Sequence, residues 1–261
     1  MKILDEQGYL IVSTGNDQYT ACAISLAKSI KQHNKIAKVC LLTETHIDNE
    51  YIDYCKPFPY KLNPDNPFAN DWQVFYASPF RETIKLEADM LVTSNIDYFW
   101  DLMCKRDVVC STGARDFYNN SATSRHYRKL FDQNDLPDVY NALIYWRISN
   151  SAKEFFDLTR TIFENWNEFK KIIKFSEEVP STDFVYAIAA KIIGQHNVTL
   201  PHQYSPNIVH MKKHINPLQT LNWTNELVWE KIDKHLKVNT VYQTGLFHYY
   251  IKDWITEFEQ Q

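Results

Sequence analysis

An alternation of apolar segments near the amino terminus limits this chain to a small group of folds. Residues 8–14 (GYLIVST) form a short apolar run that ends at the turn-forming residues 15–17, Gly-Asn-Asp. Residues 19–34 carry apolar side chains at helical spacing, and residues 38–43 (KVCLLT) form a second apolar run. A strand, a helix and a strand over this span predict a parallel β-α-β unit with both faces of its sheet covered. The sequence therefore predicts an α/β fold.

The rest of the chain continues the alternation of strands and helices. Further strands are predicted at residues 83–86, 107–111, 139–148, 198–201, 207–210 and 245–250, and further helices at residues 152–175, 181–193 and 225–236. Four prolines between residues 53 and 72 fit no regular element, so we expect a loop there. The polar residues 113–137 are expected to form an excursion over the surface. Because the sequence shows no internal repeat and no linker, we expect one domain.

Composition is that of an ordinary globular protein and excludes several classes of function. The net charge of −4 produces no general basic field, so charge alone does not indicate nucleic-acid binding. The five cysteines are never spaced as C-x-x-C, which argues against structural zinc and fits a reducing compartment. No apolar run approaches the ~20 residues needed to cross a bilayer. We therefore expect a cytoplasmic protein without a membrane span.

Two carboxylates interrupt an apolar segment at residues 83–92 (TIKLEADMLV). Glu87 and Asp89 are costly in such a place unless something pairs with them. They follow a predicted strand at its carboxyl end, where α/β sheets place their active sites, and alternation along an extended chain directs both to one side. Hard oxygen ligands of this kind bind Mg²⁺ or Mn²⁺ and leave room for substrate phosphates. The alternative for so short a pattern is an acidic turn on the surface.

Two separated motifs resemble one family of enzymes. Residues 87–97 (EADMLVTSNID) resemble the D-A-D-x-L-V-x-x-N-I-D segment of GT-A glycosyltransferases, with the glycogenin-like family as the closest match. Residues 12–19 (VSTGNDQY), with the helix and strand that follow, are similar to that family's first strand, nucleotide-binding turn and next helix. The resemblance covers most of residues 8–105. Residues 83–100 also look like glycosyltransferases encoded by large DNA phages.

The resemblance implies both a fold and a reaction. The fold would be a single GT-A, Rossmann-like α/β domain over residues 1–261, with a mixed central sheet flanked by helices. Residues 8–105 would bind the nucleotide-sugar and the metal, and residues 106–261 would form the acceptor half and a C-terminal metal and diphosphate segment. The reaction would be a metal-dependent transfer of a hexose from a UDP-linked donor to a hydroxyl acceptor, with retention. A non-catalytic module that binds sugar or nucleotide is the alternative.

The resemblance also implies which residues hold the donor. The positions that hold the nucleotide are matched by Ser13, Gly15, Asn16 and Tyr19. Tyr19 would lie against the base, where stacking is worth about 1–3 kcal/mol, and packing of its ring on the sheet is the alternative. Asp89 matches the direct metal ligand. Glu87 stands where the family more often has Asp, so it would act toward the ribose, the metal or a metal-bound water.

Two further segments match positions near the donor sugar. Residues 140–144 (YNALI) resemble the family's F-N-S-G-V strand, so Asn141 would face the sugar. Asp183 falls where the family has the Asp of a D-Q pair at a helix start, so it would lie on the reacting face of the sugar. The alternative for Asp183 is a helix cap or a first-turn acid that the helix dipole favours.

In the glycogenin-like family, a histidine near the C-terminus is a metal ligand, and a lysine shortly after it contacts the diphosphate. Residues 246–254 (LFHYYIKDW) imitate the family's H-F-x-G-x-x-K-P-W, which implies His248 as ligand and Lys252 at the diphosphate. His210 is the competing ligand, with Lys212 near the substrates. For either histidine the alternative is a satisfied core residue.

The acceptor is the least determined part of the prediction. Basic side chains cluster at Arg115, Arg125, His126, Arg128 and Lys129, and again at residues 212–214. A basic rim can meet phosphates even on an acidic protein, which would suit a modified DNA base as acceptor. A saccharide or lipid-linked acceptor, with these residues forming a solvated surface, is the alternative.

Overall fold

The amino-terminal apolar segments form the parallel unit that the sequence predicts. The protein was examined as a computed structural model that describes residues 2–14, 16–122, 128–175, 178–201 and 204–261. The chain begins with β1 (Asp5–Ser13), α1 (Asp17–His33) and β2 (Val39–Thr43). Strands β1 and β2 run parallel and end side by side, at Ser13 and Thr43. Helix α1 begins after Asn16, whose Oδ1 accepts the backbone amide of Tyr19 at 3.0 Å.

The remaining strands and helices follow in chain order. They are β3 (Tyr54–Lys56), α2 (Val74–Ala77), β4 (Phe80–Leu86), β5 (Met90–Val92), α3 (Tyr98–Met103), β6 (Val108–Thr112), α4 (Lys129–Gln133), β7 (Val139–Arg147), α5 (Asn150–Glu164), α6 (Trp166–Ile172), α7 (Thr182–Ile193), α8 (Gln195–Val198), β8 (Ile208–His210), β9 (Trp229–Ile232), β10 (His235–Val238), β11 (Val241–Tyr242), β12 (Leu246–His248) and α9 (Trp254–Gln260). Short 3₁₀ helices lie at Pro67–Gln73 and Trp223–Asn225.

A mixed six-stranded sheet forms the centre of the fold, in the order β3-β2-β1-β4-β7-β6. The first four of these strands are parallel, and β7 runs antiparallel to both β4 and β6. The predicted α/β class and the mixed central sheet are therefore confirmed. Within the described residues, no helix is both long and apolar enough to cross a bilayer.

Apolar side chains cover both faces of the central sheet. Leu26 of α1 and Trp254 of α9 belong to one buried cluster, and Phe155 of α5 and Tyr186 of α7 belong to a second. Leu10 of β1 contributes to the second cluster while the residues on either side of it contribute to the first. This alternation shows that the two clusters lie on opposite faces of the sheet. Each large apolar side chain that is fully buried contributes about 1.5–3 kcal/mol to stability.

A second, three-stranded sheet links the acidic segment to the C-terminal part of the chain. Its order is β5-β12-β8, with β12 antiparallel to β5 and parallel to β8. The three strands come from distant parts of the sequence, so their pairing brings residues near 90, 210 and 248 side by side.

The helix predicted at residues 225–236 is wrong, because this segment forms the β9–β10 hairpin. The side chains of β9 alternate between half-buried and exposed, which is a strand period. Ile232 pairs with His235, so the loop between the strands contains two residues. The first of them, Asp233, has φ of 55°, the left-handed conformation that a two-residue hairpin loop requires.

The long helix predicted at residues 152–175 is divided in two by Asn165. The backbone amide and the side-chain amide of Asn165 both donate to the carbonyl of Thr161, at 3.0 and 2.9 Å. Asn165 itself has φ of −115°, so α5 ends at Glu164 and α6 begins at Trp166. A short polar side chain that bonds to the backbone competes with helix continuation, which accounts for the break.

The proline-rich segment at residues 53–72 is more regular than predicted. Strand β3 pairs with β2 before the first of the prolines, at the edge of the sheet. Pro67 begins a 3₁₀ helix, and Asn66 caps it by accepting the amide of Phe68 at 3.1 Å. Proline suits the first turn of a helix because its missing N–H would have no partner there. The strand predicted at residues 198–201 is reduced to a single bridge at Thr199.

Candidate active site at the carboxyl ends of the strands

The acidic pair lies at the edge of the central sheet where the parallel strands end. Glu87 follows the last residue of β4, and Asp89 precedes the first residue of β5. The backbone amide of Glu87 donates to Ala142 of β7 at 3.2 Å, and the carbonyl of Asp89 accepts the amide of Tyr249 at 3.2 Å. The pair is not a surface turn, since Asp89 is buried. Backbone bonds on both sides hold the main chain that carries the two acids in place.

Strand pairing brings His248 and Lys252 to Asp89. His248 lies opposite Met90 in the β5–β12 ladder, which places its ring beside the acidic pair. His248 Nε2 is 3.1 Å from Asp89 Oδ1, and Lys252 Nζ is 3.0 Å from Asp89 Oδ2. The other ring nitrogen, His248 Nδ1, is 3.5 Å from Glu87 Oε2.

Burial and these contacts shift the pKa values of Asp89, His248 and Glu87. Burial opposes ionisation of Asp89, but the nearby His248 and Lys252 outweigh it and hold the pKa of Asp89 well below its usual range. Burial also opposes the charged form of His248, yet the two carboxylates raise the pKa of His248 above its usual value. The pKa of Glu87 is raised, chiefly by burial. The site therefore concentrates negative charge at Asp89 and compensates it with two basic groups.

Glu87, Asp89 and His248 can serve as ligands of one divalent cation. Their ligand atoms lie within 4.8 Å of one another. Among the described residues, this is the one cluster of three His, Cys, Asp or Glu side chains close enough to share a metal ion. Two carboxylates and an imidazole fit Mn²⁺, and the carboxylates also suit Mg²⁺. The residues present therefore fit the metal that the resemblance implies.

A strained turn directs Lys252 back toward the acidic pair. The backbone amide of Ile251 donates to the carbonyl of Tyr249 at 2.7 Å, and Tyr250 between them has φ of 65°. A three-residue turn with positive φ at its centre is rare and strained, especially for a bulky residue. The Tyr250 ring lies 5.7 Å from Lys212 Nζ and 6.0 Å from Lys252 Nζ. It is therefore flanked by Lys252, predicted at the diphosphate, and by Lys212, predicted near the substrates.

Lys252 also connects the acidic pair to the predicted nucleotide-binding turn. Its Nζ lies 5.0 Å from the centre of the Tyr19 ring, which is half-buried at the margin of the core. Ser13 is buried at the end of β1, with its hydroxyl 3.2 Å from that of Thr20. Asn16 is exposed and caps α1. Gly15, also predicted to hold the nucleotide, lies outside the described residues.

His210 lies behind His248 rather than among the ligand atoms at Asp89. The two histidines are paired in the β8–β12 ladder, and their Nδ1 atoms are 2.9 Å apart. The hydroxyl of Tyr140 is within hydrogen-bond distance of both Nδ1 atoms. Burial lowers the pKa of His210 well below its usual value.

Asn141 and Asp183 are in direct contact. The backbone amide of Asn141 donates to Asp183 Oδ1 at 2.7 Å, and Arg128 Nη1 lies 3.2 Å from Asp183 Oδ2. The N-cap of α7 is Ser181, which accepts the amide of Phe184 at 3.3 Å, so Asp183 is not the cap. Asp183 lies in the first turn of α7, but its carboxylate is bonded to β7 and to Arg128.

Comparison with solved structures identifies the fold. The galactosyltransferase LgtC, in complex with donor and acceptor sugar analogs, aligns with a TM-score of 0.50 and 10% sequence identity over 96% of this chain and 94% of that chain. The chain has the GT-A glycosyltransferase fold. The fold that the resemblance implied is therefore confirmed. The sequence matches no family model and no curated protein.

Two weaker alignments involve proteins of the same kind. An active-site mutant of LgtC aligns with a TM-score of 0.48 and 12% identity, over 97% of this chain and 95% of that chain. The apo-form glycosyltransferase GlyE of Streptococcus pneumoniae TIGR4 aligns with a TM-score of 0.43 and 14% identity, over 76% of this chain and 46% of that chain.

One residue beside the site of this GT-A fold was missed by sequence reasoning. Asp71, in the 3₁₀ helix at Pro67–Gln73, lies 2.9 Å from Lys85 Nζ and accepts the hydroxyl of Tyr186 at 2.5 Å. Asn141 Nδ2 also donates to Asp71, at 3.3 Å. A buried lysine in the apolar strand TIKL requires a partner, so Lys85 was the signal that could have predicted such an acid.

The predicted basic rim is only partly present in the GT-A fold. Arg128 is wrong as a rim residue, because it is 3% exposed and paired with Asp183 and Asp138. Arg115 is half-buried and Lys129 is exposed. Arg125 and His126 lie outside the described residues.

A wide surface cavity of about 1140 Å³ lies at the opposite edge of the central sheet. It is lined by Asp107 just before β6, Arg147 at the end of β7 and residues of α5. Because Arg147 pairs with the beginning of β4 and Glu87 follows its end, this cavity is remote from the acidic pair. The chemistry of the side chains, rather than the size of a cavity, locates the candidate site.

Proposed function

We propose that this protein is a metal-dependent glycosyltransferase that transfers a hexose from a UDP-linked donor to a hydroxyl acceptor. One observation carries the proposal: Glu87, Asp89 and His248 converge at the carboxyl ends of the strands, with Lys252 beside them. Ligands of a nucleotide-binding α/β fold lie at this edge of the sheet. Burying Asp89 and His248 beside the partly exposed Glu87 is costly, and a cation and its substrate account for it.

The donor diphosphate is held by the cation and by lysine. Asp89 and His248 Nε2 are direct ligands in this proposal, and Glu87 contributes an oxygen or orients a metal-bound water. When bound, the divalent cation neutralises the charge that develops on the departing nucleoside diphosphate. Lys252 exchanges its contact with Asp89 for the diphosphate, and Lys212 approaches the same group across the Tyr250 ring.

The nucleoside is held at the end of β1. Ser13, Asn16 and Tyr19 lie at or near the start of α1, and Gly15, which lies outside the described residues, is proposed to contact the nucleotide with them. The Tyr19 ring stacks on the base in this proposal. The Tyr19 ring lies close to Lys252, which supports this placement of the base. Lys252 would then lie between the base at Tyr19 and the diphosphate beside Asp89.

In this proposal, Asp183 and Asn141 would hold the donor sugar. Asn141 holds the Asp183 carboxylate through its backbone amide, and Arg128 holds the second oxygen. Asn141 Oδ1 is buried without a hydrogen-bond partner among the described residues, so it is available to accept a sugar hydroxyl. Retention requires the acceptor to attack from the side of the leaving group. Asp183 would then stabilise the oxocarbenium-like centre or form a transient bond to it.

The acceptor in this proposal is a hydroxyl group of a saccharide or of a modified DNA base. The burial of Arg128 weakens the nucleic-acid version, because that side chain serves Asp183 and is not available to a phosphate. Arg115 and Lys129 remain as contacts for a nucleic acid. Transfer onto DNA that contains hydroxymethylated bases, measured at two salt concentrations, distinguishes the two acceptors because phosphate contacts weaken with salt.

A screen of donors tests the proposal. Purified protein is incubated with a panel of nucleoside-diphosphate hexoses, with Mn²⁺, with Mg²⁺ or with a chelator, and release of the nucleoside diphosphate is measured. We expect metal-dependent release from a UDP-hexose, since water replaces the acceptor at a low rate. Binding without release under any condition, with or without candidate acceptors, would indicate the non-catalytic module instead. Neither binding nor release would contradict the proposal.

A further inference from the structure

Three polar rings are buried together beneath the proposed metal site. Tyr140 of β7, His210 of β8 and His248 of β12 are 5%, 1% and 5% exposed. Tyr140 also belongs to the apolar cluster on this face of the central sheet. Burying three polar groups is unfavourable unless they bond to one another, so each of these rings needs a hydrogen-bond partner.

The two histidine rings meet at the Tyr140 hydroxyl. The Tyr140 hydroxyl lies 2.6 Å from His248 Nδ1 and is also bonded to His210 Nδ1. The two imidazole rings are nearly perpendicular, at 81°, with centroids 4.3 Å apart. All three residues lie on or at the end of strands, and His210 and His248 are in register in the β8–β12 ladder. Strand pairing therefore holds the three rings in place.

The positions of the protons decide which of these atoms donates each hydrogen bond and which accepts it. A hydroxyl donates one proton and accepts others, and a neutral imidazole carries one proton on one of its two nitrogens. For His248 to offer the Nε2 lone pair to a cation, its proton must lie on Nδ1. His248 Nδ1 then donates to the Tyr140 oxygen, and the Tyr140 hydroxyl donates to His210 Nδ1. Each hydrogen bond in this chain has a donor and an acceptor, and the order fixes the tautomer of His248. It also places the proton of His210 on Nε2, which is buried without a hydrogen-bond partner among the described residues.

We propose that Tyr140 and His210 are positioning residues that hold His248 with Nε2 directed at the cation site and thereby raise the affinity for a divalent cation. The inference rests on the proposed function, in which Glu87, Asp89 and His248 bind that cation. Groups that accept the second N–H of a ligating histidine commonly change metal affinity about 10- to 100-fold. His210 thus supports the ligand, rather than competing with it.

Direct metal binding tests the inference without recourse to turnover. Mn²⁺ binding to the protein without donor is measured from the loss of the free-ion signal in electron paramagnetic resonance. We expect Tyr140→Phe to weaken binding about 10- to 100-fold. Tyr145→Phe is the matched control, because Tyr145 is a buried tyrosine on the same strand whose ring packs on Trp100. It should bind Mn²⁺ as the wild type does. Thermal melting without metal measures any general loss of stability in both variants.

Substitution of His210 provides a second test that does not depend on Tyr140→Phe folding well. His210→Leu removes the acceptor and should weaken Mn²⁺ binding. His210→Asn places an amide oxygen near the position of Nδ1 and should restore much of the affinity. A purely structural role would change the melting temperature of these variants and leave the Mn²⁺ affinity unchanged.

The outcomes separate this inference from the proposed function. If the wild type binds Mn²⁺ and the Tyr140 and His210 variants bind it equally well, the inference is wrong and the proposed metal site stands. If the wild type binds no Mn²⁺, the proposed function fails and the inference fails with it.

Discussion

The backbone amide of Asn141 and the carboxylate of Asp183 are joined by a 2.7 Å hydrogen bond that ties β7 to the first turn of α7. The neighbouring residues of β7 reach the other parts of the site. Tyr140 bonds to the two buried histidines, and the carbonyl of Ala142 accepts the amide of Glu87. Three consecutive residues thus connect the acidic pair, the histidines and Asp183. A strand of this kind holds a site more precisely than a loop does.

Asp183→Asn should reduce turnover on the order of 100- to 1,000-fold, the cost of removing one charge aimed at a transition state. Affinity for UDP with Mn²⁺ should be unchanged, because Asn keeps an oxygen that can accept the Asn141 amide. Turnover of a UDP-hexose and calorimetric binding of UDP check the two parts. Glu154→Gln, which changes an exposed acid of α5, is the control and should retain both properties. Normal turnover in Asp183→Asn would remove Asp183 from the reacting face of the sugar.

His248→Ala should raise the Mn²⁺ concentration needed for activity far more than His210→Ala does. The first substitution removes a ligand, whereas the second removes only a group behind it. A titration of turnover against Mn²⁺ for the wild type and both variants gives the ranking. The reverse order would make His210 the ligand.

Tyr19→Ala should weaken binding of UDP by the loss of one stacking contact. That contact is worth about 1–3 kcal/mol, or about 5- to 150-fold in affinity. Isothermal calorimetry measures the change, with Tyr242→Ala as a control at an exposed tyrosine of β11. Unchanged affinity in Tyr19→Ala would make its ring a packing residue at the margin of the core.

Local patterns predicted the parts of the fold and site that depend on neighbouring residues. The β-α-β unit followed from apolar spacing, and the position of Asp89 followed from its place after a strand. The pairing of Arg128 with Asp183 and the contact of Asp71 with Tyr186 were not predictable, because the partners lie far apart along the chain. The hairpin at Asp233 was mistaken for a helix because five apolar residues over a dozen positions fit either period. Sequence alone also left His210 and His248 as competitors, and only strand pairing showed that they are neighbours.

Asp53→Asn should lower the free energy of unfolding at neutral pH by about 1–3 kcal/mol, the range for a hydrogen-bonded charge. Asp53 Oδ2 accepts Lys31 Nζ at 2.7 Å and the amide of Val39 at 2.9 Å, while Lys38 Nζ lies 3.1 Å from Oδ1. Burial opposes its ionisation, but these donors outweigh burial and lower the pKa of Asp53 below its usual value.

The direction of the pKa shift of Asp53 determines how its contribution to stability depends on pH. Because the folded pKa of Asp53 lies below the unfolded one, the ionised group stabilises the fold above the unfolded pKa of about 3.9. That stabilisation is lost as pH falls through the folded pKa. Urea unfolding at a series of pH values should show the wild type and Asp53→Asn converging below about pH 4. A difference that stays constant over this range would show that the charge of Asp53 is not its cause.

Calorimetric binding of UDP in the presence and absence of Mn²⁺ tests most directly the claim that a cation at Glu87, Asp89 and His248 holds a nucleoside diphosphate. The wild type should bind UDP tightly with Mn²⁺ and weakly with a chelator. Asp89→Asn should lose this dependence on metal, whereas Asp101→Asn, at an exposed acid of α3, should keep it. Thermal melting confirms that Asp89→Asn is folded despite the loss of its ion pair with Lys252. UDP binding in Asp89→Asn that responds to Mn²⁺ as the wild type does would contradict the account.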